Sequence, residues 1–197
     1  VTDKKLSEFA SQNNIGGFEF LSCIPGTVGG GLRMNSGCFQ NEFKDILLSV
    51  QAMDKTGKII TIPANKIKFR YRGNDLDKNL IFLSASCKGE FKEKKEIEKK
   101  IKLLKEKKDK AQPTKVKTGG STFKNTINQT NKKVWELIKD SVPLDTHFGD
   151  AKISEKHCNF FVNENNASFI EMKKLIEFVK ENVKLKTGVK LETEIEI

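Results

Sequence analysis

The sequence predicts an α+β protein in two parts, and three observations carry that prediction. Short apolar stretches with strand-like spacing are interleaved with stretches of helical period along the chain. Seven of the 14 glycines fall between residues 16 and 37. A lysine-rich helical stretch, residues 92–110, stands between two blocks of such elements and reads as a seam. With 197 residues, 37% hydrophobic and 31% charged, the chain is long enough to bury a core. No apolar run approaches the ~20 residues of a membrane span, so no membrane partner is expected. The opening Val1-Thr2-Asp3-Lys4-Lys5 is followed by no apolar leader segment. Cys23, Cys38, Cys87 and Cys158 show no Cys-x-x-Cys spacing, and His147 and His157 have no metal-ligand spacing. No metal site is therefore expected, and the cysteines read as reduced thiols of a cytoplasmic protein.

In chain order, the glycine segment comes first and ends in Ile24-Pro25-Gly26-Thr27-Val28-Gly29-Gly30-Gly31. Glycine permits close backbone approach, so this loop suits either a ligand or a tight packing point. Ile46–Met53 and Lys58–Ile62 flank Asp54-Lys55-Thr56-Gly57, a turn sequence, and are expected to form a hairpin. Leu80–Ser86 is another strand, and the charged aromatic cluster Phe69–Asn74 lies before it at a strand end or turn. Residues 92–110 carry ten Lys against four Glu and one Asp, half of the net charge of +10. Ile97, Ile101 and Leu104 recur there at helical spacing. A lysine-coated helix can bind phosphates, yet Glu alternates with Lys and no aromatic stacking residue is present. The helix is expected to be a scaffold, its apolar stripe packing on the second part, with no nucleic-acid partner.

Ala111-Gln112-Pro113-Thr114 stops that helix. A short helix through Val134, Leu137 and Ile138 follows, then a strand at Asn159–Val162. A longer helix through Met172, Leu175, Ile176, Val179 and Val183 has Ser168 as its N-cap. The final stretch alternates strictly from Val189 to Ile197 and is expected to be a strand, with Glu192, Glu194 and Glu196 on one face.

Taken alone, these residues leave the chemistry open. The Gly26–Gly31 loop is neither a Walker A nor a Gly-x-Gly-x-x-Gly motif, though its N–H groups could cradle a pyrophosphate. Ser121 follows two glycines without forming a nucleophile elbow, and a turn serine is the plainer reading. Three carboxylates on one strand face usually mean solvent, and Arg72 could be an ordinary surface residue.

Read together, the segments resemble the UDP-N-acetylenolpyruvoylglucosamine reductase family, flavoenzymes of bacterial peptidoglycan synthesis. The matching pieces are Ile24–Gly30, then Asn35-Ser36-Gly37-Cys38, Tyr71-Arg72-Gly73-Asn74, Gln112-Pro113 with Gly120–Asn125, Ser154–Asn163, and Gly188–Ile195. Asn74 stands where the family motif has Ser, and Thr126 where it has Pro. The resemblance implies part of a PCMH-type FAD-binding domain over residues 1–90, followed by an α+β substrate-binding domain over 91–197. It also implies that the family's N-terminal third, with a Gly-x-Gly-Ser-Asn-type loop, is missing, so that the chain by itself is expected to bind FAD weakly or not at all. An inactive fragment, or a basic binding protein without flavin, is the alternative.

By resemblance, the activity is NADPH-dependent reduction of a UDP-N-acetylglucosamine enolpyruvate through FAD, serving cell wall biogenesis, cell shape and cell division. Arg72 and Glu194 would hold and polarise the substrate carboxylate, and Ser121 would protonate the α-carbon. Lys124 and Asn125 would bind the UDP diphosphate. Pro25, Gly26, Thr27, Gly29, Gly30, Asn35 and Gly37 would bind the cofactor. The expected protein is a cytoplasmic monomer whose partner is the UDP-sugar substrate.

Overall fold

In the computed structural model, which describes residues 1–114 and 116–197, the chain divides after Lys108 into two units. The first begins with helix α1 (Asp3–Gln12), whose Lys5 N–H donates to the Thr2 hydroxyl, a serviceable N-cap. Strand β1 (Ile15–Gly16) and a 3-10 turn (Glu19–Cys23) lead to the glycine segment. There the chain forms a helix, α2 (Val28–Met34), with Thr27 as its N-cap and Asn35 in the left-handed conformation at its end. A Cβ on Gly31 would lie 2.6 Å from the Phe43 ring, so α2 can sit on Phe43 only because residue 31 has no side chain.

The short strands β2 (Gly37–Cys38) and β3 (Asn41–Glu42) make a hairpin closed by Phe39 and Gln40, both with positive φ. Helix α3 (Phe43–Ile46) then feeds β4 (Leu47–Met53). β4 pairs antiparallel with β5 (Ile59–Pro63) and β6 (Ile81–Cys87), giving the order β5-β4-β6. The turn between β4 and β5 closes as expected: the Asp54 carboxylate accepts from Thr56 N (2.8 Å) and Lys58 N (3.1 Å). These bonds, with one from the Thr56 hydroxyl, hold the Asp54 carboxyl below its usual range. Phe18, Phe20, Leu21, Leu32, Phe43 and Val50 are among the buried residues of this unit's core.

After β7 (Glu90–Phe91), which pairs with β1, comes the lysine-rich helix α4 (Lys94–Ala111). Ile97 and Leu104 are buried, as the stripe requires. The helix, however, is fastened to the first unit, contrary to the expectation that it packs on the second. Lys94 N donates to the Asn14 side chain (3.0 Å), Lys108 Nζ donates to the Cys23 carbonyl (2.7 Å), and Lys100 Nζ lies 3.5 Å from the buried Glu19 carboxylate. The structural division thus falls at 108/109 rather than at 90/91, because a helix that neutralises Glu19 goes with the part containing Glu19.

The second unit holds β8 (Lys117–Ser121), α5 (Val134–Ser141), β9 (His147–Phe148), β10 (Ala151–Ile153), β11 (Phe160–Asn163) and α6 (Phe169–Thr187). Its four strands form an antiparallel sheet in the order β8-β11-β10-β9. Leu137, Ile138, Leu175, Ile176, Val179 and Val183 from the two helices are buried in its core. Ser168 caps α6 as expected, and Glu171 returns a bond to Ser168 N (2.7 Å), completing a capping box.

The closing stretch differs from expectation. Val189 and Leu191 are buried as the alternation requires, but residues 188–197 make one isolated bridge, Phe123 to Thr193, and no regular strand. The reason is the partner: beyond Lys124 the chain turns away, with Gln129 N and Thr130 N bonded to the Thr126 carbonyl. The Gln129 side chain then replaces a strand, donating to the Lys190 carbonyl and accepting from Lys190 N, each at 2.9 Å.

Asp3 is fully buried at the first turn of α1, and neither carboxylate oxygen has a hydrogen-bond partner. Burial pushes its carboxyl up to about 6. The folded state therefore keeps this proton to higher pH than the unfolded chain, whose ordinary value is 3.8. Stability contributed by Asp3 is present below that ordinary value and is lost as pH rises through the folded one. Asp3→Asn should remove this loss. Urea midpoints of the two proteins should separate, the variant gaining, as pH rises through about 6; parallel pH profiles would contradict it.

Candidate functional site

Two groups of expected site residues lie in the two units, and each is built locally. In the first unit the lip of the glycine segment is accessible: Pro25, Thr27 and Gly30 are exposed, and Gly26 and Gly29 are half-buried. The N–H groups of the first turn of α2 are mostly committed. Val28 N donates to the Val1 carbonyl (3.1 Å), Gly30 N to the Thr27 hydroxyl (3.2 Å) and Gly31 N to the Thr27 carbonyl (2.7 Å). Among the described residues, Gly29 N–H has no such partner, and a Cβ at Gly29 would meet nothing within 4 Å. One donor and open space over it is a fit for an anionic group of a cofactor, on a much smaller scale than a P-loop.

Asn35 acts differently from the expected cofactor contact. Its side chain is fully buried and donates to Glu42 (3.0 Å) and to the Arg70 carbonyl (3.1 Å), while Lys44 N donates to it (3.0 Å). It ties α2 to the turn that bears Arg72. Asn74 makes the second tie, donating to the carbonyls of Leu32 (2.8 Å) and Arg33 (3.1 Å) at the end of α2. A serine at position 74, the family residue, could not supply both donors.

Arg70 and Gly73 exchange backbone hydrogen bonds at 3.0 and 3.2 Å, closing a tight turn around Tyr71 and Arg72. Arg72 has φ 53, a left-handed conformation that costs a non-glycine residue about 1 kcal/mol or more. Its guanidinium donates to the Gly37 carbonyl (3.3 Å) and lies 4.9 Å from the centroid of the Tyr71 ring. Gly37, also expected at the cofactor, therefore holds Arg72 through its carbonyl.

In the second unit, Ser121 stands at the end of β8. The register runs from Phe160 opposite Ser121 to Val162 opposite Thr118, so β8 carries one extra residue. Gly120 absorbs this bulge with φ 90. Such bulges re-aim the next side chain, here Ser121, whose hydroxyl has no hydrogen-bond partner among the described residues. The following three residues are clasped from both sides. Thr122 N donates to the Asn159 carbonyl (2.8 Å), Phe123 N to the Asn159 side chain (3.0 Å), and the Asn159 amide to the Phe123 carbonyl (2.9 Å). On the other side, Glu194 N donates to the Thr122 carbonyl (2.8 Å) and Lys124 N to the Glu192 carbonyl (2.9 Å).

This clasp brings Glu194 alongside Thr122, the neighbour of Ser121. Glu194 is half-buried, whereas Glu192 and Glu196 are exposed. Lys124 forms an ion pair with Glu192, and Asn125 accepts a hydrogen bond from Val134 N (3.2 Å) at the start of α5. Thr126 is buried with its hydroxyl unpaired, a group that the family's proline would not carry. Asn159 was not singled out from the sequence, although it lies inside the Ser154–Asn163 segment that carries the resemblance. Its signal was a polar residue at the mouth of an apolar strand.

His157 is half-buried, its ring packed against Phe160 at 4.9 Å, and burial lowers its pKa. Among the described residues, no group of His, Cys, Asp and Glu is arranged to hold a metal ion, and no helix is long and apolar enough to cross a membrane.

Residues 1–63 match the family description "FAD binding domain", and residues 112–197 match "UDP-N-acetylenolpyruvoylglucosamine reductase, C-terminal domain". A Pelagibacter ubique protein named UDP-N-acetylenolpyruvoylglucosamine reductase is 70% identical over 99% of this chain. One of the same name from Rickettsia conorii is 42% identical over 96%. The chain spans 65% of the first relative's length and 63% of the second's. A crystal structure of UDP-N-acetylenolpyruvylglucosamine reductase from Thermus caldophilus matches with a TM-score of 0.83 at 28% identity, over 98% of this chain and 68% of that one.

The Asn159 amide pairs both polar groups of a buried peptide at Phe123. Asn159→Ala would leave that N–H and C=O unpaired at a cost of about 1–3 kcal/mol each. Chemical unfolding should show a loss of about 2 kcal/mol or more for the second unit, and a loss below about 0.5 kcal/mol would remove the clasp from the account.

Proposed function

We propose that this chain, which belongs to the UDP-N-acetylenolpyruvoylglucosamine reductase family, takes part in the reduction of a UDP-N-acetylglucosamine enolpyruvate to UDP-N-acetylmuramate. The observation that carries the reading is the bulged Gly119-Gly120-Ser121 segment, clasped through Thr122 to Glu194. FAD, when bound, supplies the hydride for the β-carbon of the enolpyruvyl ether, and NADPH restores it. The residues of the chain do the rest. Hydride addition to an acrylate-like group drives negative charge onto its carboxylate, which needs a preorganised cation or donor. Arg72 is the proposed cation, held in a strained turn that fixes its direction. Glu194 is the second group proposed to polarise that carboxylate, and its half-buried place beside Thr122 supports the role.

Ser121 is the proposed acid at the α-carbon. A hydroxyl is a weak acid in water, but a basic carbanion beside it needs only alignment. Lys124 and Asn125 are the proposed contacts of the UDP diphosphate. The Val134 N–H bond to Asn125 holds that side chain beside the clasp, and Lys124 is held there through its own backbone bond to the Glu192 carbonyl. Pro25, Gly26, Thr27, Gly29 and Gly30 are the proposed lip for the cofactor, with Gly29 N–H as the available donor. The setting we propose is a monomer in the cytoplasm, serving cell wall synthesis and, through it, cell shape and division. A basic nucleic-acid-binding role has less support, because Lys100 and Lys108 of α4 are spent on Glu19 and the Cys23 carbonyl.

The test uses the chain completed to the length of its Pelagibacter relative. Ser121→Ala should leave flavin reduction by NADPH unchanged and slow substrate reduction by about 10²–10⁴-fold. Stopped-flow traces in which both half-reactions slow equally would count against Ser121 as the acid. In the same protein, Glu194→Gln should lower turnover without lowering the unfolding midpoint. Glu192→Gln loses only an exposed ion pair worth about 0–1 kcal/mol and should be nearly silent. A more damaging Glu192 variant would move the functional carboxylate two residues.

A further inference from the structure

His157 stands at the clasp with no part in the chemistry described so far. It opens the turn into β11. The Phe160 N–H donates to the His157 carbonyl (2.9 Å), and the Asn159 N–H donates to Nδ1 of the His157 ring (3.3 Å). The ring sits edge-on to Phe160, with centroids 4.9 Å apart at 70°. A ring nitrogen that accepts a backbone N–H carries no proton, so this bond assigns the neutral tautomer with its hydrogen on Nε2. Asn159 is 6% exposed, and each of its four polar groups is taken. Its N–H goes to His157, its carbonyl to Thr122 N (2.8 Å), its side-chain oxygen to Phe123 N (3.0 Å) and its amide to the Phe123 carbonyl (2.9 Å). Of these partners, the imidazole alone can gain a proton near neutral pH.

We propose that His157 is a positioning residue: its neutral ring holds Asn159, and through Asn159 the Thr122–Phe123 backbone next to Ser121, and a proton on Nδ1 releases that hold. The imidazolium donates from both nitrogens and has no lone pair for the Asn159 N–H, so two donors would face one another. Either the Asn159 backbone turns away or the ring stays neutral. Burial favours the neutral ring, which persists to lower pH than its ordinary 6.5. The bond is therefore present above that value and is lost as pH falls through the lower value of the folded ring. The charged groups around the ring are engaged elsewhere. Lys156 Nζ donates to the Asp109 carbonyl, Glu155 is exposed and acts on Lys152, and Lys124 pairs with Glu192. Lys139 acts on the Cys158 thiol, whose S–H donates to the Trp135 carbonyl (2.9 Å). Among the described residues, no charged group contributes to the shift of the His157 ring.

The other histidine supplies the contrast. His147 is exposed, and its Nδ1 lies 3.1 Å from the Asp145 carbonyl. A carbonyl can only accept, so this ring carries its hydrogen on Nδ1, and the two histidines are opposite tautomers. The hold of His157 on the clasp rests on these hydrogen bonds; an effect on turnover rests also on the role proposed above for Ser121.

The test is NMR on the 197-residue chain labelled with heavy nitrogen. At mildly alkaline pH the His157 ring should show Nε2–H and the His147 ring Nδ1–H. As pH falls, protection of the Thr122 and Phe123 amides against hydrogen exchange should drop about tenfold, the worth of one hydrogen bond, with the midpoint of the His157 ring. His157→Asn keeps an acceptor for the N–H two residues on and does not titrate, so protection should stay high and lose its pH dependence. His157→Phe keeps a ring against Phe160 and removes the acceptor, so protection should be low throughout. An Nδ1–H tautomer at His157, or protection of Thr122 and Phe123 that ignores the titration of the ring, would overturn the proposal. In the completed protein, His157→Phe should slow substrate reduction, by about 10²-fold at most, and leave flavin reduction by NADPH unchanged. Protection that follows the ring with no change in substrate reduction would count against Ser121 and leave the hold of His157 on the clasp standing.

Discussion

The side chains proposed to act in both units, Arg72, Ser121 and Glu194, are carried by a tight turn, the bulged end of a strand and an irregular closing segment, and that backbone is partly buried. Its N–H and C=O groups must be paired away from water, because each one left bare costs roughly as much as a lost hydrogen bond. Asparagine side chains meet that need. Asn35 and Asn74 satisfy the frayed end of α2 and fasten it to the Arg72 turn. Asn159 satisfies both polar groups of Phe123. An amide is suited to this because it offers a donor and an acceptor in one rigid plane, matching a peptide group. Remove these pairings and the glycine helix, the Arg72 turn and the Ser121 segment have no fixed relation to their surroundings.

Strain enters where these ties hold. Arg72, Phe39 and Gln40 all have positive φ without being glycine, and Gly120 takes the same region at the β8 bulge. Non-glycine residues persist there only when neighbouring contacts over-determine the backbone. The paired Arg70–Gly73 bonds and the Asn35 amide provide those contacts for Arg72. The cost is about 1–3 kcal/mol per residue, and the return is a guanidinium whose direction is set before any ligand arrives.

The charge of the chain follows a similar logic. Half of the net +10 lies in residues 92–110, yet the members of α4 that touch the first unit serve internal acceptors: the Glu19 carboxylate and the Cys23 carbonyl. The same ammonium group that anchors the helix at Lys108 also favours a thiolate at Cys23. The remaining lysines of α4 are exposed and stand among its three glutamates, Glu96, Glu98 and Glu106.

What the sequence by itself determined is the local architecture. The Asp54 turn with its hairpin, the Ile97 and Leu104 stripe, the Ser168 cap and the buried Val189 and Leu191 all follow from contacts within a few residues, which spacing and side-chain type encode directly. The motif segments likewise single out Arg72, Ser121 and Glu194 as candidates. The tertiary structure alone shows which groups tie the backbone together. The bonds of Asn35 to Glu42 and to the Arg70 carbonyl are not written in its motif, and Asn159 is not visible as the partner of Phe123. The closing segment lost its strand because the chain opposite turns away after Lys124, and α4 went to the first unit because Glu19 lies there. The physical reason is common to all four: hydrogen bonding and charge pairing over long sequence separations depend on where the partner lies, and no local pattern in a single chain records that position.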